Sequence, residues 1–150
     1  MSVHPEQQPS ALQVIESRVA MERFVDHGVG TVSLDVTLSY DPADPFAVTV
    51  VLHAECGAVR WIFARDLLVD GRFAPAGDED GDVYVWPCLD NDGVSVVIVE
   101  LRSPSGELMG QVATRDLDRF VSDILGAVPL GSEAEHVDLD AVVDRLLQPL

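Results

Sequence analysis

Carboxylates are the commonest chemically able side chains in this chain, and the run Asp78–Glu79–Asp80–Gly81–Asp82 holds four of them within five positions. A loop this rich in oxygen invites a calcium reading. An EF-hand loop needs a bidentate Glu at its twelfth position, but counting from Asp78 that position is Leu89, and counting from Asp90 it is Leu101. Both acidic runs therefore read as solvated turns. His4, His27, His53 and His136 are scattered, and no pair has the helical spacing of metal ligands. His53 falls on the strand face opposite Val48, Val50 and Leu52, where it reads as a surface or packed side chain rather than a general base. Cys56 and Cys88 form neither a disulfide framework nor a CxxC pair, a usage that fits a reducing cytoplasm. Gly28–Val29–Gly30 lacks the third glycine of a dinucleotide fingerprint and precedes a strand, and no nucleophile elbow or P-loop is present. Catalytic residues, a metal site and a cofactor site are accordingly all expected to be absent.

Trp61 and Phe63 alternate with Ile62 and Ala64, and Trp86 closes another strand-like run, so stacking on single-stranded bases is the remaining chemical option. Charge opposes it. Nine basic residues, all arginine, stand against 26 acidic ones, a formal net charge of −17 that repels phosphate backbones and anionic lipid surfaces. Core packing is the better reading of these aromatics, and nucleic acid is not expected as a partner.

The elements that would position any site are β-rich. Leu12 to Val25 is ambiguous, its β-branched residues favouring strand, with Asp26–His27–Gly28 as a turn. Thr31 to Tyr40 alternates cleanly, with Val32, Leu34, Val36, Leu38 and Tyr40 on one face. Phe46 to Ala54 and Val59 to Ala64 form a hairpin about Glu55–Cys56–Gly57, and Arg72 to Asp82 reads as loop. Val83 to Trp86 is a short strand ended by Pro87. Val94 to Leu101 is apolar enough to be covered on both faces, and Ser103–Pro104–Ser105–Gly106 turns it into Glu107 to Thr114. Leu117, Phe120, Val121, Ile124, Leu125 and Val128 recur at helical spacing, with Gly126 and Pro129 marking the end. A last helix over 137–148 carries the stripe Leu139, Val142, Val143, Leu146 and Leu147, suited to core packing or self-association.

Arg-Asp-Leu occurs twice, at Arg65–Asp66–Leu67 and Arg115–Asp116–Leu117, each time where a hairpin hands over to a helix. Asp66 and Asp116 are placed to cap those helices through free first-turn N–H groups, with Gly71 stopping the first. Arg65 and Asp66 then make a cap and a surface ion pair, while Leu67 and Leu68 pack. The expected fold is α+β: one antiparallel β-rich domain over 1–150, built from two hairpin-plus-helix units with C-terminal helices, and residues 1–11 flexible. A 47% hydrophobic content at this length suffices for a core that needs no disulfide or metal. The polar start carries no signal peptide, and no apolar run is long enough to cross a bilayer, so any membrane association is indirect.

An ordered series of motifs carries a resemblance. Tyr40–Asp41–Pro42–Ala43–Asp44–Pro45–Phe46–Ala47–Val48 is followed by Trp61–Ile62–Phe63–Ala64–Arg65–Asp66–Leu67–Leu68. Gly71, Gly81–Asp82–Val83–Tyr84–Val85–Trp86–Pro87, Ser103–Pro104–Ser105–Gly106–Glu107 and His136–Val137–Asp138–Leu139–Asp140 complete it. The series resembles the SsgA-like family of sporulation and cell-division proteins of actinobacteria, from about Thr31 to Leu147. The resemblance implies a non-enzymatic protein of the cytoplasm, at the cell septum, that helps recruit or position the tubulin-like GTPase FtsZ at future septum sites. Other SsgA-like proteins are implied as further partners. It implies a bell-shaped homotrimer whose fold is similar to the Whirly single-stranded nucleic-acid binders. Trp61, Arg65, Asp66, Leu67, Leu68 and Trp86 are the structural or partner-contact candidates. Two alternatives stand beside this reading: a Whirly-like nucleic-acid-binding module, and a paralogue steering peptidoglycan synthesis or autolysis.

Overall fold

A computed structural model describes residues 13–137. The flexible start expected at 1–11 and, Val137 aside, the helix expected over 137–148 lie outside the described residues, and Val137 itself is extended.

Eight antiparallel strands form one sheet in the order β4-β3-β2-β1-β8-β7-β6-β5. The long hairpin of β1 (Ile15–Val25) and β2 (Gly30–Tyr40) pairs from Ile15↔Tyr40 to Val25↔Gly30. Its turn is made by Asp26, His27 and Gly28 in succession at φ 53°, 56° and 88°, a left-handed stretch that Asp and Gly tolerate best. β3 (Ala47–Ala54) and β4 (Gly57–Ala64) extend the sheet on one side, and α1 (Arg65–Gly71) follows. β5 (Ala76–Gly77), β6 (Val83–Leu89), β7 (Ser95–Ser103) and β8 (Gly106–Ala113) form a second meander, and α2 (Thr114–Ala127) follows. The architecture is thus α+β and antiparallel, as expected, with each unit a four-stranded meander plus one helix.

The two units meet along a short seam where Met21, Glu22 and Arg23 of β1 pair with Val112, Gln111 and Gly110 of β8. Glycine at 110 is required by closeness: a Cβ there would lie 2.6 Å from the Met21 sulfur. The sheet curls so that α1 touches β5 and β6 as well as its own β4, and α2 packs on β1, β7 and β8. Alternation sends Val36, Leu38, Tyr40, Val48, Val50, Leu52 and Phe63 inward to meet Leu117, Phe120, Val121 and Ile124 of α2 in one core. β7 is buried on both faces from Val96 to Val99, as its composition predicts.

Several expectations change. Asp66 does not cap α1. Ala64 occupies the N-cap position with no side-chain bond, and the Arg65 N–H is taken by the Phe46 carbonyl as a continuation of the β3–β4 ladder. Asp116 likewise does not cap α2, which starts from Ala113. The two Arg-Asp-Leu copies are also out of step. Ala64 and Ala113 have nearly the same backbone angles, so Arg65 is matched in space by Thr114, and the inward Leu68 by Leu117. Gly71 does not stop α1 by a left-handed turn, because Arg72 after it is right-handed; it is small because Val85 sits directly against its Cα. Pro87 does not end β6, which runs on to Leu89. The neighbouring β5 pairs only with Tyr84 and Val85, so the proline lies on an open edge where its missing N–H is tolerated. The loop expected over 72–82 contains β5, and Phe46 precedes β3 and is exposed.

Two glycine substitutions separate these roles. Gly71→Ala is expected to cost about 1–3 kcal/mol, because Val85 is fully buried and cannot move aside. Gly126→Ala, with nothing near its Cα in the last turn of α2, is expected to stabilise by about 0.5–1 kcal/mol. Urea denaturation of the two variants beside the parent chain measures both.

Candidate functional site

Arg65 is the largest fully buried side chain among the described residues, 1% exposed. As the first residue of α1 it points under the sheet edge toward the end of α2. Nη1 donates to the Val128 carbonyl at 2.7 Å and to the Tyr40 hydroxyl at 3.1 Å, and Nη2 makes a longer 3.5 Å approach to the Pro129 carbonyl. Nη2 also lies 3.0 Å from Oε2 of Glu133, which completes an ion pair. Tyr40 passes the connection on, donating its own O–H to the Pro45 carbonyl at 2.9 Å. The guanidinium carbon stands 5.6 Å from the Tyr40 ring centroid. One side chain thus joins the end of β2, the β2–β3 turn, the start of α1 and the chain leaving α2.

The turn that brings Glu133 to Arg65 is specific. Gly131 adopts φ 88°, and its N–H donates to Oε1 of Glu133 at 2.8 Å, while the Ser132 hydroxyl donates to the Pro129 carbonyl. The Glu133 carboxyl is held below its ordinary value of 4.5, first by the bond from its own backbone N–H and then by Arg65. Burial pushes the Tyr40 phenol above its ordinary 10.0, with the Arg65 cation opposing. Among the described residues the buried Arg65 Nε–H has no acceptor. Both Nη atoms bond to internal partners and the Glu133 carboxylate is paired with them, so the cluster ties together segments far apart in the chain. It anchors.

The sequence-derived candidates do not converge. Arg65 is buried and bonded to Glu133, not in a surface pair with Asp66, which is exposed. Leu68 is in the core and Leu67 packs against it. Trp61 is half-buried on the inner face, lining a cleft of about 250 Å³ with Leu34, Leu52, Val59, Leu101 and Leu108. Trp86 is half-buried on the opposite face, where its indole N–H donates to Glu100 at 2.7 Å and Glu100 in turn pairs with Arg102 at 2.6 Å. Tyr40, Glu133 and the Val128 carbonyl were missed as parts of a site; Tyr40 reads as an ordinary inward strand residue and the carbonyl has no residue-type signature. The acidic runs are turns. Asp78 Oδ1 accepts from the Asp80 N–H, and Asp90 Oδ1 accepts from those of Asp92 and Val94. Among the described residues no group of three His, Cys, Asp or Glu could hold a metal, and no helix is long and apolar enough to cross a membrane.

A family described as Streptomyces sporulation and cell division protein, SsgA, matches residues 34–133, a span that takes in Tyr40, Arg65, Val128 and Glu133. The sporulation-specific cell division protein SsgB of Salinispora tropica is 44% identical over 128 residues, covering 83% of this chain and 87% of that protein. Its namesake in Streptomyces coelicolor is 39% identical over 126 residues, covering 83% and 90%. Among solved structures, an SsgA-like sporulation-specific cell division protein from Thermobifida fusca superposes with a TM-score of 0.76 at 31% identity, covering 90% of this chain and 96% of that one. A structure of SsgB, reported with mutations that correlate to longitudinal cell division during sporulation of Streptomyces coelicolor, also gives 0.76, at 36% identity over 83% and 95%.

Removing the Arg65 cation strands Glu133 and two carbonyls, so Arg65→Met is expected to destabilise by roughly 3–5 kcal/mol, whereas Asp66→Ala should change stability by no more than about 0.5 kcal/mol. Chemical denaturation compares them. Glu133→Gln is expected to melt below the parent chain near neutral pH. Because the folded-state pKa of Glu133 is depressed, that margin exists above 4.5 and is lost as the pH falls through the folded value. At the alkaline end stability falls as pH rises above 10.0, where the unfolded chain ionises Tyr40 before the folded one does. Melting temperatures across the pH range read both limbs.

Proposed function

The chain belongs to the SsgA family of sporulation and cell division proteins, and from that premise we propose that it is a non-enzymatic adaptor that helps bring FtsZ and the septum machinery to future septum sites. The relatives that carry the premise are sporulation-specific cell division proteins, SsgB among them, and they match over most of this chain. One structural observation supports an adaptor in particular. The single buried charged side chain among the described residues is consumed by internal partners, so its chemistry holds the frame and leaves interaction to the surface.

In this reading the protein works in the cytoplasm at the septum, as a homotrimer, beside other SsgA-like proteins. Its partners are proteins. A net charge of −17 opposes a phosphate backbone, and Trp61 faces the inner cleft, which argues against single-stranded nucleic acid as the ligand.

Sedimentation of FtsZ polymers with purified protein tests the adaptor directly. With GTP present, the protein is expected in the pellet with the filaments, and the polymer yield is expected to rise. Neither co-pelleting nor any change in yield would reject direct action on FtsZ.

A further inference from the structure

The two edges of the sheet are guarded very differently. At one edge, β5 is two residues long and the exposed part of β6 carries Pro87, two devices that prevent further strand pairing. At the other edge, β4 runs for eight residues, Gly-Ala-Val-Arg-Trp-Ile-Phe-Ala, with no proline, no carboxylate and one charge, Arg60. Among the described residues it pairs only with β3, so its outer row of backbone N–H and C=O groups is unpaired. Val59 and Ile62 on this strand are 49% and 60% exposed. In a chain with 26 acidic residues, an edge with none stands out, because charge on an edge is the ordinary protection against unwanted pairing.

Alternation divides what β4 offers. Val59 and Trp61 face inward and form one wall of the 250 Å³ cleft, whose far side is Leu101 and Leu108 near the β7–β8 turn. Arg60 and Ile62 face outward, opposite Val51 and Thr49 of β3. Arg60 has no carboxylate partner among the described residues, and neither has Arg23, which lines the cleft. One cation without a carboxylate partner among the described residues thus stands on the outer face of the edge strand, and a second, Arg23 of β1, lines the cleft together with Glu107.

We propose that β4 accepts a ninth strand from another protein: an extended segment, apolar at alternate positions, with a carboxylate on the intervening face. Backbone bonds to β4 supply affinity, the apolar side chains enter the cleft beside Val59 and Trp61, and the carboxylate meets Arg60 on the outer face. A second copy of this chain is the poorer occupant. Symmetric pairing of β4 with β4 leaves both Arg60 side chains without a carboxylate, since the strand has none to give. The inference stands whichever protein supplies the strand, so it survives or fails independently of FtsZ binding.

The probe is a synthetic ten-residue peptide alternating valine and threonine, with two glutamates on the threonine face, titrated into the full isotope-labelled chain. Amide shifts are expected to saturate and to centre on residues 57–64 and the cleft. Replacing the glutamates by lysines is expected to weaken binding roughly tenfold, and N-methylation of alternate peptide amides to abolish it. Ile62→Glu in the protein, which sets a carboxylate beside Arg60 on the face that the peptide glutamates meet, is at an exposed position that should leave the melting temperature unchanged and is expected to weaken binding roughly tenfold as well. Three results would overturn the proposal: no saturable binding, equal binding of the N-methylated peptide, or a sedimentation mass that drops in Ile62→Glu, which would mean that a second copy already occupies the edge.

Discussion

A guanidinium is costly to take out of water unless most of its donors are met where it goes, and this fold depends on meeting those on the two Nη atoms of Arg65. The desolvation of the cation is offset by one carboxylate, one hydroxyl and two carbonyls, none adjacent to it in sequence. Because the carbonyls belong to Val128 and Pro129, the chain leaving α2 must arrive in one position for the arginine to be accommodated at all. Apolar packing would tolerate a sliding end. A directional set of bonds does not, so the burial of one polar side chain specifies where the turn after α2 lies.

With the only buried charge among the described residues committed in this way, the molecule divides between a frame and a surface. The frame is the core between the inward faces of both meanders and the two helices. The surface is strongly acidic, and the β4 edge with its cleft is a stretch of it that carries no carboxylate on the strand itself. Trp61 belongs to both, since one side packs on the core and the other lines the cleft. An adaptor has need of this division, as its partners must find a contact surface whose geometry is held from beneath.

Much of the frame was legible in the residues. The alternation from Val32 to Tyr40, the unbroken apolar run in β7 and the helical spacing from Leu117 to Ile124 each predicted an element and its buried face, because periodicity is a local property, although on β2 only Val36, Leu38 and Tyr40 are buried and Val32 is exposed. What failed was set by space, not by sequence neighbours. Asp66 has the right type for a cap but sits two positions inside a helix whose first N–H is already taken by a strand carbonyl. Pro87 breaks a strand only where a ladder bond is needed, and on this edge none is. The repeated Arg-Asp-Leu drew attention to the right residue for the wrong reason. Arg65 matters because of a carbonyl 63 residues further on, and a backbone carbonyl leaves no mark in a sequence. Arg115, its apparent twin, is exposed.

The seam between β1 and β8 has a consequence for how the molecule is made. Among the described residues the first strand in chain order sits at the middle of the sheet, and its neighbour there is the last. The first meander can form as a local up-and-down ribbon during translation, yet its inner edge at Met21 to Arg23 stays open until Gly110 to Val112 emerge. Arg65 waits longer still, since the Val128 carbonyl that it meets lies beyond the end of α2. A nascent chain cut short before β8 would carry both an open inner strand edge and a cation without that acceptor. Synthesis of β8 and α2 is therefore also the step that closes the inner edge of the first meander.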